Sequence, residues 1–177
     1  CPTTLSTIKS NAFYRCGSLT EINLPDQLKT LELSSFYYCS SLTNITIPSG
    51  LTELQNCIFS NCSALTEITI PRGIEKIGRA PFEGTNLSAI AVEEGNPVYK
   101  SDQNCIIRKA DNVLIAGCKT SVIPDYVETI GEGAFRSCQG LTEITVPASV
   151  RKIDKSAFLN CRNLTSITLS EGLKEIV

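Results

Sequence analysis

The amino-acid sequence predicts a right-handed solenoid of the α/β class, with a parallel sheet on one face and short helical or irregular turns on the opposite face. Two observations predict it. A segment like Leu-Thr-Glu-Ile-Asn-Leu-Pro recurs with a step of 42 − 19 = 23 residues, at 19–25, 42–48, 65–71 and 141–147, and with a final serine at 164–170. Phenylalanine recurs with the same step, at Phe13, Phe36, Phe59 and Phe82 and again at Phe135 and Phe158. A fixed step of this length indicates that one structural unit is stacked on copies of itself.

The first part of the unit is predicted to be a β-strand. Apolar and polar residues alternate there with the period of two that an extended chain imposes. Ile22 and Leu24 therefore point into the coil, whereas Glu21 and Asn23 point out. Pro25 ends the strand, because proline has no N–H to donate to a neighbouring strand.

The remainder of the unit is predicted to close the coil. An apolar pair such as Leu28 and Leu31 covers the far wall, and the F-x-x-C segment is long enough for one short turn whose phenylalanine fills the interior. A period of 23 residues lies within the range of about 20–29 that leucine-rich repeats occupy. No coil can bury this much apolar surface alone, so coils stacked about 4.8 Å apart would share one core. Residues 1–177 are interpreted as one leucine-rich-repeat domain, a fragment of a longer chain whose two ends fall inside repeats.

One coil is predicted to be enlarged, over residues 85–131. The interval from Phe82 to Phe135 is 53 residues, which equals 23 + 30, so one coil carries about thirty extra residues. The repeat resumes at 123–131, and the insertion is therefore interpreted as part of the solenoid rather than as a separate domain.

The insertion is predicted to contain a β-hairpin. Two strand-like runs, 105–109 and 113–117, flank a segment whose residues 111–112 suit a two-residue turn, because Asp and Asn tolerate positive φ. In that register Cys105 lies directly opposite Cys118. A disulfide between these two cysteines is then one alternative, and a pair of free thiols is the other.

Cysteine is the residue type with the most reactive chemistry in this sequence. Five of the nine cysteines follow a repeat phenylalanine by three residues: Cys16, Cys39, Cys62, Cys138 and Cys161. They are predicted to form a buried structural ladder, each thiol packing under its own phenylalanine, since all would point the same way from stacked coils. Outside the ladder stand Cys1, Cys57, Cys105 and Cys118, of which Cys57 is expected to fill core space. Without histidine or a C-x-x-C pair, the sequence predicts no metal site and no cofactor.

Composition argues against several classes of function. The net charge is −2, without a block of like charges, so no attraction for nucleic acid is expected. No apolar run approaches the roughly 18 residues of a spanning helix, so no membrane insertion of this segment is expected. Histidine, the commonest general base, is absent, and the repeat carboxylates lie on an open strand face rather than in an apolar pocket. We therefore expect a protein that is not an enzyme and has no small-molecule substrate.

The repeat unit resembles the BspA-like, or Treponema pallidum type, leucine-rich repeat. The matching segments are 65–71, 127–138 and 150–153, and the enlarged coil resembles a variant of the same family through 95–101 and 114–119. The resemblance implies a segment of a secreted or cell-surface protein, typically bacterial, that adheres to host proteins or to other cells. The resemblance implies no catalytic residues.

The outward strand positions are the predicted binding surface. They form a strip across the sheet face that contains Glu21, Asn23, Asn44, Thr46, Glu67, Thr69, Glu143 and Thr145. Solenoids bind partners through such extended faces. Because the strip lacks Trp, Tyr and Arg, it predicts weak or multivalent contacts. Two other surfaces stay open as alternatives: Tyr14, Tyr37 and Tyr38 beside the repeat phenylalanines, and the enlarged coil with Tyr99 and Lys100.

Three functions fit this sequence. The first is a non-catalytic adhesion or protein-interaction module that binds host or cell-surface proteins outside the cell. The second is a passive spacer in a multidomain surface protein. The third is a surface antigen of the same repeat family in a parasitic protist. An enzyme is compatible only with a catalytic domain elsewhere in the parent chain.

Overall fold

The computed structural model describes residues 2–177, so Cys1 lies outside the described residues. The chain winds through about seven coils of a β-solenoid. In chain order the strands are β1 (Thr7–Ile8), β2 (Thr30–Leu31), β3 (Glu53–Leu54), β4 (Glu67–Ile70), β5 (Lys76–Ile77), β6 (Ala89–Val92), β7 (Tyr99–Asp102), β8 (Cys105–Arg108), β9 (Val113–Ala116), β10 (Thr129–Ile130), β11 (Glu143–Val146), β12 (Lys152–Ile153), β13 (Ser166–Leu169) and β14 (Glu175–Ile176).

The strands fall on two sides of the coils. The sheet face carries the four-residue strands β4, β6, β11 and β13, and the far wall carries the two-residue strands. Pairing between coils is parallel, with Glu67 opposite Ala89 and Glu143 opposite Ser166. The sheet face is not one continuous sheet, as expected from the sequence, but two separate two-stranded sheets, β4–β6 and β11–β13. The first two coils run extended along this face at 20–24 and 43–47 without forming regular strands.

The turns opposite the sheet face are not helical, which corrects the α/β part of the predicted class. No helix occurs in residues 2–177. Each regular turn contains two residues with left-handed φ, four positions apart, as at Asn11 (φ 60) and Arg15 (φ 59). Left-handed residues interrupt the succession of right-handed φ angles that an α-helix needs. The irregular turns that the sequence left as the alternative are the ones observed.

Backbone hydrogen bonds explain why these turns are stable without a helix. Alternate N–H groups donate to the next coil: those of Asn11, Phe13 and Arg15 reach carbonyl oxygens 22 residues ahead at 3.2, 2.8 and 2.7 Å. The N–H groups between them close short turns inside the coil, as from Tyr14 to the carbonyl of Asn11 at 3.0 Å. Buried backbone groups are therefore satisfied mainly by the stacking of coils.

The repeat phenylalanines form the centre of the core, as the sequence predicts. Phe36 and Phe59 are fully buried, and their ring centroids lie 5.8 Å apart. Phe13 stacks on Phe36 at 5.1 Å, and Phe82 follows Phe59 at 6.3 Å. A second stack joins Phe135 and Phe158 at 5.2 Å.

The enlarged coil separates these two aromatic stacks. Its insertion is a three-stranded antiparallel meander, β7–β8–β9, rather than the two-stranded hairpin expected from the sequence. Strand β9 then pairs in parallel with β10, with Val113 opposite Thr129. The meander thus supplies the far-wall strand that a regular coil takes from its own apolar pair.

The predicted register of the hairpin is wrong by two residues at the turn. Arg108, not Ala110, lies opposite Val113, so four residues connect β8 to β9. The Arg108 guanidinium binds the Asp111 carboxylate at 2.7 Å across this turn. In residues 109–112, Asn112 alone has positive φ, whereas a type I′ turn needs two such residues.

This register also bears on the two cysteines of the insertion. A bulge between Ile106 and Ile107 sets Ile106 opposite Ala116, so the predicted pairing of Cys105 with Cys118 is not formed. Both cysteines are buried free thiols. Cys105 donates to the carbonyl of Val122 at 3.5 Å, and Cys118 to that of Asn104 at 3.9 Å.

Candidate interaction face

The predicted binding residues all point to solvent on the sheet face. Side chains at these positions are exposed in every case, namely Glu21, Asn23, Asn44, Thr46, Glu67, Thr69, Glu143 and Thr145. The residues between them point inward, and Ile68 and Ile70 are 3 % and 0 % exposed. The period-two pattern therefore predicts correctly which side chains are exposed, and their role in binding stays a prediction.

The hydroxyl residue that opens a strand segment has a structural role in three of the coils, which sequence reasoning missed. The hydroxyl of Thr43 donates to the carbonyl of Thr20 at 3.2 Å, and that of Thr165 to the carbonyl of Thr142 at 3.0 Å. Ser88 does the same toward Thr66 at 3.2 Å. The sequence signal was present, because the repeat keeps a hydroxyl residue at this position. These hydroxyls hold adjacent coils together at the border of the face.

Six of the predicted residues line two separate clefts. The first is a cleft of about 260 Å³ whose polar lining is Asn44, Thr46, Glu67, Thr69 and Glu93. The second has a volume of about 360 Å³, and its lining includes Lys119, Val122, Glu143, Thr145 and Thr168. The structure thus brings four predicted residues together in the first cleft and two in the second, while Glu21 and Asn23 line neither cleft.

The clefts contain residues that the sequence did not single out. Glu93 follows strand β6, and its carboxylate accepts the N–H of Arg72 at 2.9 Å. Lys119 donates to the side-chain oxygen of Asn86 at 2.9 Å, and Val122 is 59 % exposed. Segment 119–123 lacks the repeat motif, so no periodic signal marked Lys119 or Val122.

The two clefts differ in charge. The lining of the first contains two carboxylates, Glu67 and Glu93, and no lysine or arginine. The lining of the second contains one residue of each sign, Lys119 and Glu143. The first cleft is therefore suited to a basic group of a partner, since an opposite charge is attracted and a like charge is repelled.

Cysteines of the predicted ladder contact neighbouring coils, but these contacts differ from the prediction. Three of its thiols donate to the carbonyl of the phenylalanine one coil earlier: Cys39 to Phe13 at 3.1 Å, Cys62 to Phe36 at 3.1 Å and Cys161 to Phe135 at 2.9 Å. The ladder is also less buried than expected, because Cys16 is exposed and Cys138 and Cys161 are only partly buried. Cys57, which was expected to fill core space, is partly exposed as well.

Three of the thiols are poor nucleophiles because their pKa values are raised. Burial raises the pKa of Cys138 to about 12, and the hydrogen bond with Cys39, together with burial, raises the pKa of Cys62. In the enlarged coil, burial raises the pKa of Cys105 to about 12. Because the thiolate is the reactive form, these thiols are unreactive at neutral pH.

Two further features concern metal and membrane. Within residues 2–177, no three side chains of His, Cys, Asp or Glu are grouped so that they could hold a metal ion. The described part of the chain also has no helix long and apolar enough to span a bilayer.

The fold and the repeated polar face define the class of protein, a leucine-rich-repeat solenoid. The chain belongs to the BspA-type leucine-rich repeat family, whose model matches six copies over residues 1–106 and 116–177. The resemblance seen in the sequence is thereby confirmed. The unmatched residues, 107–115, comprise the end of β8, the turn that follows it and most of β9.

Solved structures of bacterial proteins share this fold. A leucine-rich repeat protein from Bacteroides ovatus is 28 % identical with a TM-score of 0.64, covering 95 % of this chain and 42 % of that one. Another from Eubacterium ventriosum is 17 % identical with a TM-score of 0.73, covering 95 % and 58 %. The pneumococcal vaccine antigen PcpA is 24 % identical with a TM-score of 0.64, covering 97 % and 39 %. The chain thus spans about half or less of these proteins, and no curated protein sequence matches it.

Proposed function

We propose that this chain is a non-catalytic adhesion or protein-interaction module of a secreted or cell-surface bacterial protein. The observation that carries the proposal is the sheet face, on which outward polar side chains recur along the repeat and are aligned directly between β11 and β13. Membership of a repeat family and the similarity to a vaccine antigen support a location outside the cell.

The partner that suits this face is a host or cell-surface protein with basic side chains. Glu67 and Glu93 concentrate negative charge in the first cleft, and Glu21 adds a carboxylate on the same face. The side chains of the face are mostly short and include no aromatic residue or arginine, so each contact contributes little. Binding therefore depends on several coils acting together, and it weakens as salt screens the charges.

The test compares two variants that carry the same change in charge. One replaces Glu21, Glu67 and Glu143 on the sheet face by glutamine, and the control replaces the exposed Glu75, Glu94 and Glu128 elsewhere on the coils. Binding is measured by surface plasmon resonance to a panel of extracellular-matrix proteins and by attachment to cultured host cells. We expect the face variant to lose at least about tenfold in affinity, because three exposed charge contacts of about 0.5 kcal/mol each are removed together. The control should bind as the natural sequence does.

A passive spacer is the second candidate, and one observation favours it. The middle of the face carries only Ala89 and Ala91 as outward side chains of β6, and these offer a partner little to bind. A spacer predicts that neither triple variant changes attachment, and that the natural sequence binds no member of the panel. The alternative of a protist surface antigen is tested separately, by identifying the species whose genome encodes the parent gene.

A further inference from the structure

A second surface, on the turn side of the first two coils, has the composition of a binding site. Tyr14 stacks on Tyr37 with ring centroids 5.2 Å apart, and Tyr37 contacts Tyr38 at 5.1 Å. The guanidinium of Arg15 lies over two of these rings, 5.4 Å from the centroid of Tyr14 and 5.6 Å from that of Tyr38. We call these four residues the tyrosine–arginine cluster. Tyrosine and arginine are the residue types enriched at the energetic centres of protein interfaces.

The fold does not require these side chains. Tyr14 and Tyr38 are each 43 % exposed, so much of their ring surface is in water. At the repeat position of Tyr14 and Tyr37, later coils carry unrelated residues, namely Ser60, Glu83, Arg136 and Leu159. A core role would demand similar side chains at this position in every coil.

Two members of the cluster occupy an unfavourable backbone conformation. Arg15 and Tyr38 have φ of 59° and 60°. The same left-handed position in other coils is held by small residues or asparagine: Asn61, Gly84, Ser137 and Asn160. Large side chains are uncommon at positive φ because Cβ crowds the backbone. Residues kept in such conformations at a cost in stability are concentrated at functional sites.

Arg15 is also a cation without an acidic partner. It forms no ion pair with any residue in the range 2–177, and its guanidinium lies over the two tyrosine rings. The arginine one position earlier in a later coil, Arg136, is paired with Glu83 at 2.8 Å. The rings stabilise the Arg15 guanidinium, and its planar edge can donate two N–H groups to a carboxylate.

We propose that the tyrosine–arginine cluster is a second docking surface, which binds a segment of a partner protein that carries a carboxylate next to apolar side chains. The carboxylate takes the N–H groups of Arg15, and the apolar side chains cover the exposed ring surface of Tyr14 and Tyr38. The sheet face and this surface therefore select partners of opposite charge, basic on the first and acidic on the second.

Binding at the cluster can be measured by NMR from the signals of the tyrosine rings. The chain has five tyrosines, of which three are in the cluster, while Tyr99 is buried in the enlarged coil and Tyr126 contacts Lys100 there. The protein is prepared with ¹³C-labelled tyrosine rings and titrated with a synthetic peptide of alternating glutamate and leucine, up to about 1 mM, where weak contacts of about 4 kcal/mol become visible. We expect the ring signals of the cluster to shift, and those of Tyr99 and Tyr126 to stay in place.

Three variants and a second peptide separate the proposal from its alternatives. Arg15→Gln should weaken binding at least about tenfold, the loss of one charge-assisted contact, whereas Arg162→Gln, at another exposed arginine, should change nothing. Tyr38→Asn introduces the residue found at this position in the next coil, so it should keep or raise thermal stability while binding is lost. A glutamine–leucine peptide should bind far more weakly than the glutamate–leucine peptide.

Several outcomes would overturn the proposal. These are equal shifts with both peptides, an unaffected affinity in Arg15→Gln, and no shift of the cluster signals at the highest peptide concentration. A response to a neutral oligosaccharide such as cellotetraose, without a response to the acidic peptide, would assign the cluster to a sugar instead. The triple variant of the sheet face retains the cluster, so the two proposals fail or succeed separately.

Discussion

The regular coils and the enlarged coil reach the same stacked arrangement by different means. In a regular coil, a buried phenylalanine stacks on its neighbours, and a cysteine three residues later donates to the carbonyl of the phenylalanine one coil back. In the enlarged coil there is no repeat phenylalanine, and residues with no equivalent elsewhere make the contacts. Repetition allows one set of interactions to be reused, whereas an interruption of the repeat must be stabilised by contacts of its own.

Asn96 is the clearest of these single contacts. Its side chain is 1 % exposed, and its Nδ2 donates to the carbonyls of Pro71 and Ile74 at 3.1 and 2.9 Å. Its Oδ1 accepts the N–H groups of Val98 and Tyr99 at 2.9 and 2.7 Å. One asparagine thus joins the corner of the preceding coil to the start of the meander.

Gly117 lies where the chain leaves the enlarged coil and returns to the regular repeat. Its N–H donates to the carbonyl of Ala134 at 2.9 Å. A Cβ atom at this position would lie 2.1 Å from Cε1 of Phe135. The chain can therefore cross beneath the second aromatic stack only where it has no side chain.

The largest effect is expected from breaking a regular coil at its centre. Phe36→Ala should lower the free energy of unfolding by about 4 kcal/mol, since it removes a buried ring and leaves a cavity. If regular coils are equivalent, Phe59→Ala, which empties the adjacent fully buried position, should cost the same within about 1 kcal/mol. Urea unfolding followed by circular dichroism measures both. Clearly unequal losses would show that the regular coils do not contribute equally to the free energy of unfolding.

Asn96→Ala should lower the free energy of unfolding by about 3 kcal/mol, because two buried carbonyls and two N–H groups lose their partner. The matched change at an exposed asparagine of a regular coil, Asn44→Ala, should stay within about 0.5 kcal/mol. Both values come from the same urea titration. A loss below about 1 kcal/mol at Asn96 would mean that water replaces the side chain and that the enlarged coil is not held by this residue.

Gly117→Ala should lower the free energy of unfolding by about 2 kcal/mol, the usual effect of forcing extra volume into a packed core. Gly17→Ala in a regular coil meets the flexible hydroxyl of Ser40 at 3.3 Å and the Arg15 carbonyl oxygen at an ordinary contact distance of 4.0 Å, so it should be nearly neutral. The double variant Gly117→Ala/Phe135→Leu should be less unstable than the sum of the two single changes, because the smaller side chain relieves the contact. If the losses of stability in this double-mutant cycle are additive, the strain caused by Gly117→Ala does not come from its contact with Phe135.

The stability of the enlarged coil should also fall at alkaline pH. The folded-state pKa of Cys105 is raised to about 12 by burial, whereas the thiol of the unfolded chain ionises near its ordinary value. Between these values the unfolded state has lost a proton that the folded state keeps, so stability is complete below the lower pKa and declines as pH rises. The expected loss is about 1 kcal/mol for this thiol at about pH 10. Unfolding measured against pH should show a shallower slope for Cys105→Ala than for the natural sequence, and equal slopes would contradict the assignment.

The smallest effect has the opposite sign and concerns a regular coil. Ser35 is fully buried, and its hydroxyl has no hydrogen-bond partner in residues 2–177. The same repeat position is alanine in other coils, at Ala12, Ala134 and Ala157. Ser35→Ala should therefore raise the free energy of unfolding by about 1 kcal/mol. The control Ser60→Ala removes a hydroxyl that donates to Ala80 at 3.1 Å and should be destabilising. A destabilised Ser35→Ala would reveal a buried water at this hydroxyl.

The repeats could be predicted from the sequence, whereas the contacts of the insertion could not. The phenylalanine stack and the outward face follow from periods of 23 and of two residues, so Phe36 and Glu67 could be placed from the sequence. The contacts of the insertion involve residues that occur once, and no period marks them. Asn96 was part of a resemblance motif, but two of its four hydrogen bonds depend on carbonyls 22 and 25 residues away.

Local geometry accounts for the predictions that were wrong. The F-x-x-C segment is short enough to be a helical turn, but left-handed residues such as Asn11 and Arg15 send alternate N–H groups to the next coil instead. Those bonds exist only after the coils have stacked. The hairpin register failed for a similar reason, since the ion pair of Arg108 with Asp111 belongs to a four-residue turn that composition did not distinguish from a two-residue turn.

The sequence by itself determined the stacked coils, their step and the side chains that face water, because these depend on the alternation and recurrence of residue types along the chain. The tertiary structure decided which exposed residues share a cleft, where the sheet face is interrupted and how Arg15 comes to lie between two tyrosine rings. Each of these depends on distances between coils, and a period along one chain carries no information on the contacts that an insertion makes when it folds back onto its neighbours.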